Sequence, residues 1–405
     1  MYKKIITSSL FLLMLINSIA QSRYNLIYEK QEGMNMAAEN FATGFYLFDN
    51  LDSLLVKKNI INKEYKLAPF VNPVYRFSKL FLTNYVLTYY MMNMNHERFG
   101  HGYRALEAGG EIIEFINNPP PPFSFDFPYI SLSQDNNMTA QQDIAITLAG
   151  SEANLVFADV LRKNILLDEQ FSYNYTLAYL YASNDAPGYA AFVTSWGDPY
   201  DYRQSLNNFY NSSALTLSKV RAYSLIALLT DPINFFAYKS LFYNYLILGE
   251  HSSKIGMIKL SNNIKYLPRY RFENTPYGIE LVLQNYFKVD QKLFQLNFSH
   301  SDGSFEPSWR IAANAWNLKK NANCSFNLSA QIWQQPSIEY FKDKALFRSE
   351  GLGGQIITTI NYDFISNYHT MGATLHLGYK TMGYALGEQL DNGLIIRGGL
   401  TFKLR

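Results

Sequence analysis

The C-terminal part of the chain, residues 251–405, alternates between apolar and polar side chains at every second position. In its last stretch, Ile396 and Leu400 alternate with Arg397 and Thr401. A period of two residues is typical of a β-strand with one apolar face. Roughly eight such segments of about 10–13 residues are separated by turn signals, and that length suits strands that cross a membrane. The pattern therefore predicts an antiparallel β-barrel of about eight strands.

Two kinds of closed sheet fit this pattern, a soluble barrel or sandwich and an outer-membrane barrel. The first twenty residues favour the membrane, because Lys3 and Lys4 precede a long uncharged run and the small residue Ala20, as in a secretory signal peptide. The chain also contains 32 Tyr and 29 Phe, and aromatic side chains are enriched at membrane interfaces. We therefore predict an exported protein whose barrel contacts outer-membrane lipid.

The middle of the chain has helical patterns instead of alternation. With 405 residues, of which 48% are hydrophobic, the chain can bury a large core and is long enough for two domains. We predict an α+β fold with a signal peptide at 1–20, a mainly helical domain at 21–250 and the barrel at 251–405. An even number of strands would leave the helical domain in the periplasm. The formal charge of +2 gives no reason to expect a nucleic-acid partner.

Two apolar segments near the end of the helical part, residues 215–229 and 233–248, flank Asp231 and Pro232. Each segment is short for a membrane span, and each carries a basic residue, Arg221 or Lys239. We predict that they are packed helices of the core, with membrane spans as the alternative.

The strongest chemical signal is the segment His96-Glu97-Arg98-Phe99-Gly100-His101. Two imidazoles and a carboxylate close together suit a divalent metal and the water that it activates. The spacing is one residue longer than H-E-x-x-H, and in a straight helix five residues separate the two rings by about 140° around the axis. A bulge of the π type near Gly100 would return both rings to one face.

This segment resembles the H-E-x-x-G-H zinc motif of the dipeptidyl peptidase III family. The resemblance implies that His96 and His101 bind zinc, that Glu97 is the general base, and that a glutamate on a later helix is the third protein ligand. It covers the motif and, loosely, one later glutamate. The family's second motif is absent from this sequence, so the resemblance extends to the metal chemistry and not to the substrate.

Glu152 is the predicted third zinc ligand. It lies in a helix predicted from Ala140 to Leu167, with Thr139 as N-cap, among small and apolar residues, and a buried carboxylate needs a partner. Asp159 follows on nearly the same face and is predicted to orient a ligand histidine by accepting its free N–H. Three other glutamates compete for the role of third ligand: Glu107, Glu111 and Glu114.

The expected function is that of an exported zinc-dependent hydrolase, peptidase-like in its chemistry. Zn²⁺ on His96, His101 and Glu152 would activate water, and Glu97 would accept the water proton. The bond attacked would be an amide or ester of a peptide, cell-wall or lipid substrate. The alternative is a barrel without catalytic activity whose helical domain is a periplasmic binding or plug domain. The distance between the two histidine rings distinguishes these hypotheses.

Overall fold

A computed structural model describes residues 23–404, except 56–57, 134–137, 193–194, 320–322, 343–344 and 366–368. The expected signal peptide therefore lies outside the described residues. The described chain begins with a short strand, β1 (Tyr24–Tyr28), and continues into a series of helices.

The helices run from α1 to α7 in chain order. They are α1 (Met34–Leu55), α2 (residues 68–107), α3 (Ala140–Asp168), α4 (Tyr173–Phe192), α5 (Asp198–Phe209), α6 (Leu217–Thr230) and α7 (residues 232–248). Two of them contain π-helical segments. α2 combines Ala68–Lys79, Leu80–Tyr85 (π), Val86–His96, Glu97–His101 (π) and Gly102–Glu107, and α7 combines Pro232–Tyr238 and Lys239–Leu248 (π).

The strands form one large antiparallel sheet and two small ones. The small sheets pair β2 (Glu111–Ile116) with β3 (Tyr129–Ser133), and β4 (Gln170–Ser172) with β5 (Ser252–Lys254). The large sheet has 10 strands in the order β1-β14-β13-β12-β11-β10-β9-β8-β7-β6. Its C-terminal strands are β6 (Ile258–Lys259), β7 (Ile264–Thr275), β8 (Gly278–Val289), β9 (Lys292–Ser301), β10 (Trp309–Lys319), β11 (Cys324–Lys342), β12 (Ala345–Ile365), β13 (His369–Lys380) and β14 (Gly393–Leu404).

The predicted α+β class is confirmed, and the eight long strands β7 to β14 agree with the number predicted from the alternation. The sheet is not closed into the predicted barrel, because among the described residues β1 and β6 remain its two edges. β1 comes from the N-terminal part of the chain and pairs with β14, from Tyr24 opposite Phe402 to Tyr28 opposite Gly398. The alternation of the C-terminal part could not reveal this pairing, since it joins segments far apart in sequence.

Both edges of the sheet are covered by helices. At β1, the side chain of Asn40 in α1 accepts a hydrogen bond from the Ile27 N–H at 2.7 Å and donates one to its carbonyl at 2.9 Å. At the other side, β6 pairs only with the first part of β7, and α6 packs against β7 beyond it. Covering an edge protects its backbone N–H and C=O groups, which could otherwise form hydrogen bonds with a strand of another chain.

Helix α3 is the centre of the molecule. Thr139 caps it as predicted, in a capping box with Gln142, and Glu169 ends it in the left-handed conformation. Within the described residues it is the one helix long and apolar enough to cross a membrane, and 83% of its most apolar window is buried. A helix that is apolar on all sides belongs in a core, and α3 packs between the other helices and the sheet.

Helices and strands share one hydrophobic core across the predicted domain boundary near residue 250. Tyr24 of β1, Phe157 of α3, Tyr179 of α4 and Tyr286 of β8 all belong to the same buried cluster. The helical part therefore packs directly on the sheet.

The two faces of the large sheet have opposite character. On β8, Glu280, Gln284 and Lys288 point inward and are buried, whereas Leu283 points outward and is exposed. The same holds on the other long strands, where outward apolar side chains include Phe298, Ile311, Ile356, Leu377 and Ile396. A water-soluble sheet normally has its apolar face toward the core, so this sheet is inverted.

Candidate metal centre

Helix α2 brings His96 and His101 to the same side. The segment Glu97–His101 is π-helical, which confirms the predicted bulge at Gly100. The ring centroids lie 5.0 Å apart with an interplanar angle of 69°. The residue inserted in the π-helical turn therefore places both rings on one side of the helix, as a shared ion requires.

Two glycines allow α2 and α3 to approach closely at this point. A Cβ on Gly100 would lie 2.6 Å from the carbonyl oxygen of Ala149. A Cβ on Gly150 of α3 would lie 2.6 Å from Nε2 of His101 and still closer to Nε2 of His96. Gly150 therefore keeps free the space toward which both imidazoles point.

The third residue of the cluster is Asp198, at the start of α5. Its Oδ2 lies 3.0 Å from Nε2 of His96 and 3.3 Å from Nε2 of His101. The ligand atoms of His96, His101 and Asp198 all lie within 4.8 Å of one another. Two imidazole nitrogens and one carboxylate oxygen are a donor set that suits Zn²⁺ and leaves a coordination position for water or substrate.

Local backbone chemistry fixes the position of Asp198. Gly197 has a φ of +82°, and a side chain there would collide with the Tyr189 hydroxyl. The Asp198 backbone N–H opposes the rise that burial causes in the pKa of the Tyr189 hydroxyl. Pro199 and the acidic Asp198 suit the first turn of a helix, whose N-terminal end is positive.

The second nitrogen of each histidine ring has its own partner. Nδ1 of His101 lies 2.6 Å from the carbonyl oxygen of Ile146, so it carries the proton and leaves Nε2 as the free donor atom. Nδ1 of His96 lies 3.4 Å from Oδ2 of Asp185 on α4 and 3.4 Å from Nδ2 of Asn154 on α3. A carboxylate or carbonyl behind a metal-binding imidazole is the usual way to fix its orientation.

The charges of the cluster shift its pKa values strongly. Burial alone would lower the pKa of His96, but hydrogen bonds to Asp185 and Asp198 outweigh it and raise that pKa well above its ordinary value. Asp198 and its hydrogen bond likewise raise the pKa of His101 against the effect of burial. Burial alone would raise the pKa of Asp198, but the two histidines outweigh it and lower that pKa. Protons therefore occupy this cluster readily, and a cation would replace them.

Glu97 lies beside this cluster. Its pKa is raised by burial, and the charges of Asp198 and Asp185 add to that rise while the two histidines oppose it. The side chain is only partly buried. A carboxyl group with a raised pKa next to a metal site is suited to accepting and returning a proton.

Glu152, the predicted third ligand, does not join the histidines. Its Oε1 accepts hydrogen bonds from Arg104 at 2.6 Å and from the Gly387 N–H at 2.7 Å, and its Oε2 accepts one from Arg104 at 3.1 Å. The inference that a buried carboxylate needs a partner was sound, but the partner is a guanidinium rather than a metal. Asp198 takes the position expected for Glu152.

The remaining predicted residues also have other partners. Asp159 forms ion pairs with Arg162 and Arg271 and does not orient a histidine. Glu107 pairs with Arg104 at 2.7 Å. Glu111 and Glu114 lie on β2 and are exposed.

Sequence reasoning missed Asp198 and Asp185. The segment Gly197-Asp198-Pro199 signals the start of a helix, but nothing in it points to a histidine that lies about a hundred positions earlier. Such a contact depends on how α5 packs on α3, which is a tertiary relation.

The cluster is open to solvent on one side. The side chain of Asp198 is 25% exposed and that of His96 is 14% exposed. Trp196 precedes Asp198 closely in the chain and is exposed, and its ring lies 5.8 Å from that of the exposed Phe127.

No protein-family model, no curated protein and no solved structure matches this chain. The function must therefore be argued from the geometry of the site.

Proposed function

We propose that this chain is a zinc-dependent hydrolase in which His96, His101 and Asp198 hold the ion. The observation that carries the proposal is the convergence of these three donor groups on a space that Gly150 keeps free. Three protein donors with a further position open are typical of catalytic rather than structural zinc sites, which are closed by four.

A bound Zn²⁺ would lower the pKa of water and polarise a carbonyl group. Glu97, which follows His96 directly and interacts with both histidines, would accept the water proton and return it to the leaving group. Asp185 and the Ile146 carbonyl would hold the two imidazoles in the required orientation. The reaction class is hydrolysis of an amide or ester, and the peptide, cell-wall and lipid substrates predicted above all remain candidates.

The inverted sheet supports the outer membrane as the location. Its exposed outward side chains are largely apolar, and many of its buried inward side chains are polar or charged. This arrangement suits a sheet whose outer face contacts lipid. We propose that the sheet, together with the helices at its edges, forms a barrel-like wall in the outer membrane, in an exported protein.

A second candidate function is a binding or plug protein without catalysis. The specific observation in its favour is a cavity of about 250 Å³ between α3 and the inner face of the sheet. Charged side chains of both signs line it, among them Asp159, Lys163, Arg271 and Arg310. Such a cavity could hold water or a small polar solute.

Metal analysis of the purified protein tests the zinc site. We expect about one zinc per chain in the wild type, loss of zinc in His96→Ala and Asp198→Ala, and retention in Glu97→Gln with loss of hydrolysis. Glu152→Gln is the matched control, and it should keep zinc because its carboxylate pairs with Arg104. A wild-type protein that takes up no zinc would eliminate the proposal.

A further inference from the structure

Helices α6 and α7 have an exposed apolar surface of their own, separate from the apolar outer face of the sheet. Leu229 is 67% exposed, Phe235 63% and Phe242 54%. Scattered exposed apolar side chains are normal, but a contiguous surface marks an interaction site. The surface, called the helical face below, comprises Leu225, Ile226, Leu229, Phe235, Phe242 and Ile247.

The opposite side of the same helices is buried and of mixed character. Ser224, Asn234 and Ser240 lie there with the small residues Ala227 and Ala237, beside larger apolar side chains: Val220, Ile233, Leu241 and Tyr245. Both sides of these helices therefore carry large apolar side chains, whereas a surface helix of a water-soluble protein has a polar outer side. Small and hydroxyl side chains facing other helices are typical of helix packing in membranes.

The helical face continues the apolar outer face of the sheet. α6 packs along β7 where β6 ends. Asp231, between α6 and α7, pairs with Arg269 of β7, and Val220 of α6 shares a buried cluster with Phe272 of β7. Tyr270 of β7, which lies opposite Leu283, and Leu281 of β8 also pack against that cluster. The exposed apolar side chains of α6 therefore adjoin the outer face of β8, which includes the exposed Leu283.

Charge is sparse on this surface. From Pro232 to Leu248, Lys239 is the one charged side chain in the sequence, and a lysine can extend its ammonium toward a polar headgroup. The other basic residues, Lys219 and Arg221, lie near the N-terminus of α6. Lys219 binds Asp302 and Ser304 in the β9–β10 connection, which places that end of α6 at a rim of the sheet.

We propose that the helical face contacts lipid acyl chains and that α6 and α7 complete the membrane-facing wall at the β7 edge of the open sheet. This inference rests on the proposed location of the sheet in the outer membrane. It does not depend on the zinc site. The wall would then consist of strands on most of its circumference and of helices where strands are missing.

Site-directed fluorescence in lipid vesicles tests the inference. Each variant carries a single cysteine on a Cys324→Ser background, labelled with an environment-sensitive fluorophore. Leu229→Cys and Phe242→Cys report on the helical face, and Leu283→Cys and Ile356→Cys report on the sheet. Glu64→Cys, at an exposed polar position, is the aqueous control.

Quenching by spin-labelled phosphatidylcholine is compared with quenching by iodide in water. We expect the helical and sheet positions to be quenched several-fold more by the lipid than Glu64→Cys, and to be protected from iodide. If the sheet positions are quenched by lipid but Leu229→Cys and Phe242→Cys respond to iodide or to neither quencher, the inference is wrong while the proposed location stands. Protection from both quenchers would indicate a protein partner instead. If the sheet positions also respond only to iodide, the proposed location fails as well.

Discussion

A single inserted residue decides whether the two histidines share a site. The spacing of His96 and His101 predicts a bulge, and Gly100 marks where it occurs, so this half of the site could be predicted from local sequence. Asp198 could not, because its contact with the histidines depends on the packing of three helices. Glu152 was assigned to the metal because a buried carboxylate needs a cation, and Arg104 supplies that cation from α2.

Gly150 offers a test of the site that leaves the fold intact. We expect Gly150→Ala to weaken zinc binding by at least about tenfold, because the added methyl would occupy the space between the two Nε2 atoms. The helix itself should not suffer, since alanine is a better helix former than glycine by about 1 kcal/mol. Isothermal titration with Zn²⁺ measures the effect.

The matched control for that variant is Gly188→Ala. Gly188 also lies in a helix, and a Cβ there meets open space. If Gly150→Ala binds zinc as tightly as Gly188→Ala does, the ion is not held between His96 and His101.

The pH dependence of zinc binding follows from the raised pKa values of the two histidines. In the metal-free protein the pKa values of His96 and His101 are raised above about 6.5 in the unfolded chain. The protonated histidines therefore contribute their full stability below the pKa of the unfolded chain. That contribution is lost as pH rises through the higher pKa values of the folded protein. Zinc needs neutral imidazoles, so it binds more tightly as pH rises.

We accordingly expect zinc to raise the unfolding temperature more at pH 8 than at pH 6, with apparent affinity at least about tenfold higher at pH 8. Thermal unfolding with zinc and with EDTA measures this at both values. Asp185→Asn should reduce the difference, since it removes a carboxylate that raises the pKa of His96 and is not one of the proposed ligands. An equal zinc effect at both pH values would contradict the assigned ligands.

At the scale of elements, a buried ion pair joins three parts of the chain. Arg104 of α2 binds Glu152 of α3 and also donates to the carbonyl of Glu388 in the β13–β14 connection at 2.7 Å. The start and length of α3 could be predicted from Thr139 and the apolar run that follows, but the pair could not, because it depends on the register between two helices.

Glu152→Ala should therefore destabilise the protein by about 3 kcal/mol, because it removes the buried carboxylate that accepts two hydrogen bonds from Arg104 and leaves Glu107 to pair with that buried guanidinium. It should not change the zinc content, which separates a structural role from a ligand role. Chemical unfolding and metal analysis of the same sample measure both. The double variant Arg104→Met with Glu152→Leu should recover part of the loss. If Glu152→Ala were stable but contained no zinc, the result would contradict this prediction and would show that Glu152 is a zinc ligand.

At the scale of the whole molecule, the same periodic patterns fit two opposite arrangements. An alternating strand or an amphipathic helix has an apolar side in either case, and the sequence does not say whether that side faces a core or lipid. Residues 215–248 were predicted to be core helices, and they do pack against α4 and β7 with Ile233 and Leu241 buried, but other large apolar side chains such as Phe242 are exposed. The open edges of the sheet were equally unpredictable, because helices rather than strands pack beside them.

A charge placed on the outer face of the sheet distinguishes lipid from water. Leu283, opposite Tyr270 and Phe298 on the neighbouring strands, is exposed in the middle of β8. If it faces lipid, Leu283→Arg should reduce the unfolding free energy in lipid vesicles by about 2–4 kcal/mol, because an arginine near the bilayer centre is costly. In water, the same change at an exposed site would be nearly neutral, within about 0.5 kcal/mol. Ile60→Arg, at an exposed position away from the sheet, is the control and should be neutral. Reversible urea unfolding in vesicles measures both variants, and equal, small effects would show that the outer face of the sheet lies in water.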